Sequence, residues 1–495
     1  MFESAELGHA ISKRTYAREE PKLRAALLDA QYDLFQDGRF PVVVLIGGVD
    51  GAGKGETVNL LNEWMDPRHI RTEAFGPPSD EERERPPMWR YWRALPPKGK
   101  IGILFGHWYT DPVIARAYGD IRQPELVQRV ERIVNFERML ADEGVLLLKF
   151  WFHLSKQAQK QRLKSLEKDS STRWRISDTD WEHFRLYDKF RKAAEFTLRE
   201  TSSDRSPWFI IEGVDPSYRS LAAGRSLLAA MRRRLDHKPR KREKNPTPTP
   251  APAVDARNVI AALDLTHKLG RRKYENLLDR YQAKLNSLSR HPRFNRHSVT
   301  LVFEGQDAAG KGSTIRRINR ALDARQYRII PIAAPTEEER AQPYLWRFWR
   351  HLPRLGRFSI FDRSWYGRVL VERVEGFASE FDWMRAYSEI NEFEEQLAEK
   401  GGIVVKFWLA ISKEEQYRRF KEREKTAFKR FKITPDDWRN RKKWQAYEAA
   451  VCEMVDRTST DIAPWTLVEA EDKLYARIKV LKTVCERIEE ALGSR

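Results

Sequence analysis

Cysteine is nearly absent from this chain: only Cys452 and Cys485 occur among 495 residues, both toward the C-terminal end. Two sulfurs exclude a disulfide framework and a cysteine-rich metal cluster. Long apolar runs are lacking as well. "PVVVLIGG" and "GVLLLKFW" are far shorter than the ~20 residues a membrane-crossing helix needs. The opening "MFESAELGHAISKRTYAREE" has no apolar segment of the kind a secretory leader carries. A soluble, cytoplasmic protein that uses no membrane is the expectation. Negative charge is in deficit, with 72 acidic residues against 91 basic ones and a net charge of +19. Such a surface attracts polyanions, whether nucleic acid, acidic membrane or phosphate-rich small molecules, and charge alone does not choose among them.

What is present is enough apolar sequence, 41%, to fold a chain of two or more domains. The basic, then Pro/Thr/Ala-rich stretch "HKPRKREKNPTPTPAPAVDA" reads as an extended linker over 237–256. It separates an N-terminal domain, 1–236, from a C-terminal domain, 257–495. The two repeat each other. Gly48 and Gly305 are 257 positions apart, as are Trp89 and Trp346, Lys149 and Lys406, and Pro207 and Pro464. A constant offset across separate matches marks a duplicated domain.

Each copy opens with a helical pattern. A β-branched run follows ("PVVVLIGG"; "SVTLVFEG"), then a glycine-rich loop and a helix, and then three further short apolar runs. Short buried strands alternating with helices predict α/β domains, each a parallel sheet flanked by helices.

The loops are "GGVDGAGKGET" and "EGQDAAGKGST". In the second, Gly305, Gly310 and Lys311 keep the spacing of a phosphate-binding P-loop between a strand and a helix. Glycines let backbone N–H groups turn onto phosphate oxygens, the helix start adds partial positive charge, and lysine neutralises the phosphate. An ordinary glycine-rich turn is the plainer alternative. The position after the lysine, usually a magnesium-holding hydroxyl, is Gly312 or Gly55. Ser313 and Thr314 follow Gly312. An aspartate lies inside each loop instead, Asp307 or Asp50. A carboxylate beside phosphates needs a metal or a proton between them, so Asp307 is a metal ligand, a base or a simple loop cap.

The halves then diverge. "SIFDRSWYGR" ends a strand with Asp362, followed by Arg363 and Arg368. A strand-end acid opposite the loop is the usual second metal holder. In "ILFGHWYTD", Gly106 stands where that acid should be, no arginine follows, and one residue is missing. The basic region from Ser412 to Trp444 includes Arg418, Arg423 and Lys432. Several of its cations become neutral or acidic when 257 is subtracted: Arg418 becomes Gln161 and Arg423 becomes Leu166. The scaffold residues persist, which favours a ligand-binding role for these charges over a merely solvated face. Shared pairs such as Trp346–Arg347 and Trp349–Arg350 suit either nucleotide contact or packing.

Together, "GQDAAGKGST", "FDRSWYGR", "KITPDDWRNRKKW" and "RTSTDIAPW" resemble the second polyphosphate kinase family. A weakened copy of the resemblance covers roughly 15–235. The two-domain arrangement is similar to the branch of that family that transfers phosphate from polyphosphate to AMP. The resemblance implies tandem P-loop kinase-like domains with helical lids, and magnesium as cofactor. It implies Lys311 on phosphate, Asp307 and Asp362 on metal or acceptor phosphate, and Arg363 and lid cations on the polyphosphate chain. Inorganic polyphosphate and AMP or ADP are the implied partners, and a homo-oligomer is left open.

Two other enzymes fit the same motifs: an ATP-dependent nucleoside monophosphate kinase, and a polyphosphate-dependent kinase acting on nucleoside diphosphates. A nucleic-acid-binding protein fits the charge but shows no recognition-helix, zinc or RNA-binding aromatic signature. No specific nucleic acid partner is expected.

Overall fold

The structure is a computed structural model that describes residues 1–237, 258–426 and 433–493. The expected linker, apart from His237, and Lys432 lie outside the described residues. The chain divides into two compact units. One comprises Met1–Pro78, Arg90–Arg240 and Pro335–Arg347. The other comprises Ser79–Trp89, Lys241–Ala334 and Phe348–Arg495.

Each unit holds one five-stranded, wholly parallel sheet. In the first, the strands are β1 (Val42–Gly48), β2 (Ile70–Ala74), β3 (Ile101–Phe105), β4 (Leu146–His153) and β5 (Trp208–Glu212), in the order β2-β3-β1-β4-β5. In the second they are β6 (Ser298–Gly305), β7 (Tyr327–Pro331), β8 (Phe358–Asp362), β9 (Gly402–Ala410) and β10 (Trp465–Glu469). Their order, β7-β8-β6-β9-β10, is the same. The loop-bearing strand is central in both sheets. It is apolar almost throughout because helices cover both faces. Val42 to Ile46 are all buried, as are Val299, Leu301, Val302 and Phe303. The first helix of each half, Lys13–Asp37 or Arg271–Ser289, packs against the last, Pro216–Asp236 or Lys473–Gly493. Asp215 and Asp472 cap those last helices by accepting the Tyr218 and Tyr475 N–H groups.

A buried charge locks each core. Lys406, in mid-strand on β9 and with no exposed surface, donates to Glu394 Oε2 at 2.7 Å, the Thr458 carbonyl at 2.7 Å and the Tyr366 hydroxyl at 2.8 Å. Lys149 repeats this with Glu137 at 2.7 Å and the Thr201 carbonyl at 2.7 Å. Every ammonium proton has a partner, which is what makes a buried lysine tolerable. Trp92 and Trp349 are buried edge-on against Phe136 and Phe393, so the shared tryptophans at these positions are core. No helix among the described residues is long and apolar enough to cross a membrane.

Candidate active site

β6 ends at Gly305, whose φ of 145° and close approach to β9 leave no room for a side chain. A Cβ there would lie 2.4 Å from the Leu409 carbonyl oxygen. The chain then turns through Ala308, in the left-handed region at φ 67°, and Gly310 to start the helix Lys311–Asn319. This is the strand–loop–helix form that aims backbone N–H groups and a helix start at one point. Lys311 bends back to donate to the Gly305 and Gln306 carbonyls at 2.8 and 3.3 Å.

β8 lies beside β6 and pairs Asp362 with Phe303, which brings the strand-end acid to the loop. A Cβ built on Gly312 would lie 3.8 Å from Asp362 Oδ2. Arg363 donates to Asp307 Oδ1 at 2.8 Å, and Asn440 donates to Asp307 Oδ2 at 3.0 Å. The loop Asp, the strand-end acid, its arginine and the loop lysine therefore share one site.

They line a cavity of about 680 Å³ together with Gly310, Gly312, Ser313 and Arg423. Its walls carry eight cations, Lys311, Arg316, Arg317, Arg363, Arg419, Arg423, Lys473 and Arg477, and four acids, Asp307, Asp362, Glu422 and Asp437. Burial, and then the Arg363 guanidinium, pushes the Lys311 ammonium down from its ordinary value. Burial, and then Arg419, does the same to Lys473. Eight cations against four acids leave the cavity wall with an excess of positive charge, an environment suited to a polyanion.

Other expected site residues do not line this cavity. Arg347 belongs to the first unit, where it is buried and paired with Glu339 at 3.2 Å. Arg350 is exposed. Arg368 pairs with Glu372 at 3.0 Å, and Arg418 with Glu415 at 2.6 Å. Thr314 is buried, its hydroxyl turned to the Gly310 carbonyl at 3.2 Å. Arg439 and Lys443, which lie within the basic run Ser412–Trp444, meet Glu375 at 3.1 and 2.9 Å. Arg419, inside the basic run Ser412–Trp444, lines the cavity although its counterpart Arg162 is also basic and gives no charge-loss signal. Four cavity cations escaped sequence reasoning: Arg316, Arg317, Lys473 and Arg477. Subtracting 257 turns them into Asn59, Leu60, Pro216 and Ser220, so the same charge-loss comparison, carried beyond Ser412–Trp444, finds them.

The N-terminal half has the same loop and different surroundings. β3 pairs Phe105 with Ile46, the counterpart of Asp362 with Phe303. Phe105, not Gly106, therefore replaces the acid, Gly106 replaces Arg363, and no residue is missing. Gly106 keeps the left-handed turn, φ 73° against 67° at Arg363, which disguises the alignment in sequence. With no arginine to hold the loop aspartate, Lys54 turns onto Asp50 at 3.2 Å and lies 5.9 Å from the Phe105 ring centre. Burial opposes the Asp50 charge, yet Lys54 and His183 overcome it and hold the carboxyl well below its usual range. Glu56 stands where Ser313 stands, and Arg162, Arg175 and Arg219 gather on it at 3.1, 3.2 and 2.7 Å. This half supplies its own anion.

Two parallel α/β sheets, each with a glycine loop running from the central strand into a helix, define a duplicated kinase-type fold. The chain belongs to the polyphosphate kinase 2 family, whose sequence profile matches residues 10–239 and again 268–494. It is 58% identical over 491 residues, 99% of each chain, to a polyphosphate:AMP phosphotransferase of Pseudomonas aeruginosa. It is 38% identical over 481 residues to a polyphosphate:AMP phosphotransferase of Acinetobacter johnsonii, covering 95% of this chain and 96% of that one. A crystal structure described as a putative polyphosphate kinase 2 from Pseudomonas aeruginosa superposes over 100% of both chains with a TM-score of 0.90 and 56% identity.

Proposed function

We propose that this protein moves a phosphoryl group from inorganic polyphosphate to AMP, giving ADP, and that the C-terminal half performs the transfer. The observation that carries the reaction is the reach of the similarity. Relatives named for transfer to AMP match across both halves. An ADP-polyphosphate phosphotransferase of Pseudomonas aeruginosa matches over 225 residues, only 46% of this chain.

The C-terminal cavity suits the chemistry. Phosphoryl transfer asks a protein chiefly for positioning and for neutralisation of phosphate charge. Lys311 and the loop N–H groups grip the phosphoryl being passed. Arg363, anchored on Asp307, reaches the same oxygens, and the cations from Arg316 to Arg477 hold the chain behind them. Breaking the P–O bond to the polyphosphate leaving group then leaves its charge among these cations, while an AMP phosphate oxygen forms the new P–O bond.

Magnesium fits the donor set. No group of three or more His, Cys, Asp and Glu converges among the described residues, but Asp362 and Asp307 flank the loop. One or two carboxylates completed by phosphate oxygens and water is the coordination magnesium favours. Asp362 and Asp307 would hold the ion, which would supply positive charge against the charge developing on the phosphates.

The test is a donor and acceptor panel on purified protein: polyphosphate or ATP as donor, AMP, ADP, GMP and GDP as acceptors, with magnesium. The expected result is ADP from AMP and polyphosphate. Transfer from ATP but not polyphosphate, or to diphosphates but not AMP, would overturn the reading.

A further inference from the structure

Asp362 and Arg363 lead into a turn that is fastened twice to β6. The Arg363 N–H donates to the Phe303 carbonyl at 3.0 Å. One residue on, the Ser364 hydroxyl donates to Glu304 Oε1 at 2.8 Å and accepts the Tyr366 N–H at 3.2 Å. Phe303 and Glu304 are neighbours immediately before the loop, so loop and turn are tied at one place. Both Glu304 and Ser364 are buried, 6% and 2% exposed, and neither lines the cavity.

The turn needs fastening. Arg363 has φ 67°, the left-handed region that a side-chain-bearing residue adopts only when its surroundings enforce it. Relaxing that angle swings the guanidinium off Asp307, which it meets at 2.8 Å.

The other half shows what the clamp serves. There Gly47 and His107 occupy the places of Glu304 and Ser364. A Cβ on Gly47 would meet His107 Nε2 at 3.0 Å, and no bond links the pair. The turn is still left-handed, but glycine makes it, at Gly106, and no side chain is aimed from it. The buried lysine lock was kept in both halves, whereas this clamp survives only where an acid and an arginine must be aimed.

We propose that Glu304 and Ser364 are positioning residues for phosphoryl transfer, holding the strained turn from which Asp362 and Arg363 reach the loop. This rests on the C-terminal half being the transferring one.

The test uses the full chain and two readouts, steady-state transfer from polyphosphate to AMP and amide exchange across residues 362–366. Ser364→Ala is expected to lower kcat at least about tenfold while KM for either substrate stays within about twofold. Its amide exchange in the turn should rise at least about tenfold. Glu304→Gln keeps an acceptor oxygen of the same shape and should stay within about threefold of the parent in kcat. The double variant should be no slower than Ser364→Ala alone, because both act through one bond. The proposal is overturned if Ser364→Ala leaves the turn's exchange unchanged. It is equally overturned if exchange rises while kcat does not fall, or if Glu304→Gln is as damaging as Ser364→Ala. A parent protein that transfers nothing to AMP sinks the functional reading instead, and the exchange arm still decides whether the clamp holds the turn.

Discussion

The two halves differ less in backbone than in what surrounds one loop. Sheet order, the lysine locked at mid-strand, the aspartate inside the loop and the left-handed turn beside it are common to both. The C-terminal half adds an acid, Asp362, its arginine, Arg363, and four cations on the cavity wall that the N-terminal half replaces with Asn59, Leu60, Pro216 and Ser220. The N-terminal half instead places Glu56 at the helix start and draws three arginines onto it. A glycine loop with a lysine is a shape. Whether it takes a polyanion depends on the charges around it, and those change without disturbing the fold because they lie at strand ends and helix faces outside the core.

Grafting one half's residues into the other should break the contrast most sharply. Asp362→Phe or Arg363→Gly, each the N-terminal counterpart, should lower ADP formation from polyphosphate and AMP by about 10²–10³-fold in kcat, the loss expected when a preorganised charge at the transferring group is removed. Thermal unfolding should change little, since both sites are at the cavity.

Next in size come the locks, where the halves should agree. Glu394→Ala and Glu137→Ala each strand a buried ammonium and should each destabilise their unit by about 3–5 kcal/mol in denaturant titration. A large cost in one half alone would mean that the common network is not structurally equivalent.

Acid should separate the halves by a smaller amount. Burial, with Lys149 and Lys54 adding to it, lowers the His107 imidazole to about 3, so the folded N-terminal unit holds it neutral. The unfolded chain takes up that proton near pH 6.5. The stabilising balance is intact above that value and is lost as pH falls toward 3, at about 1.4 kcal/mol per pH unit for this group. Amide exchange between pH 6.5 and 4 should therefore show the N-terminal unit weakening, and His107→Ser, the residue of the other half, should reduce that weakening.

The smallest effects belong to the outer cavity cations. Arg477→Ser or Lys473→Gln should raise KM for polyphosphate about threefold to tenfold with kcat nearly unchanged, since each removes one charge-assisted contact to a chain held by several.

Much of this contrast was legible in the amino-acid order. The constant offset of 257, the apolar runs at the central strands, the glycine loop, the acid of "FDRSW" and the basic run placed the fold and eight residues of the cavity: Asp307, Gly310, Lys311, Gly312, Ser313, Asp362, Arg363 and Arg423. What escaped is instructive. Phe105 was hidden as the counterpart of Asp362 because Gly106 beside it looked like the lost residue. Subtracting 257 from 362 gives 105, strand register agrees, and the positive φ of Gly106 shows that the glycine serves the left-handed turn. Lys473 and Arg477 were missed because they lie outside the basic run, on a last helix that reaches the loop from about 160 positions away, as in the Arg477–Ser313 contact at 3.4 Å. Arg347 read as a phosphate partner by its place beside tryptophan, but its neighbours in space are those of the first unit, where Glu339 pairs with it.

The central claim is that one loop of two works. The most direct test is steady-state ADP formation from AMP and polyphosphate by full-length Lys311→Ala and Lys54→Ala proteins, with folding checked by circular dichroism. The account expects at least a roughly 10²-fold loss of kcat for Lys311→Ala and a kcat within about twofold of the parent for Lys54→Ala. A Lys54→Ala protein that folds and transfers nothing, beside an active Lys311→Ala protein, would contradict it.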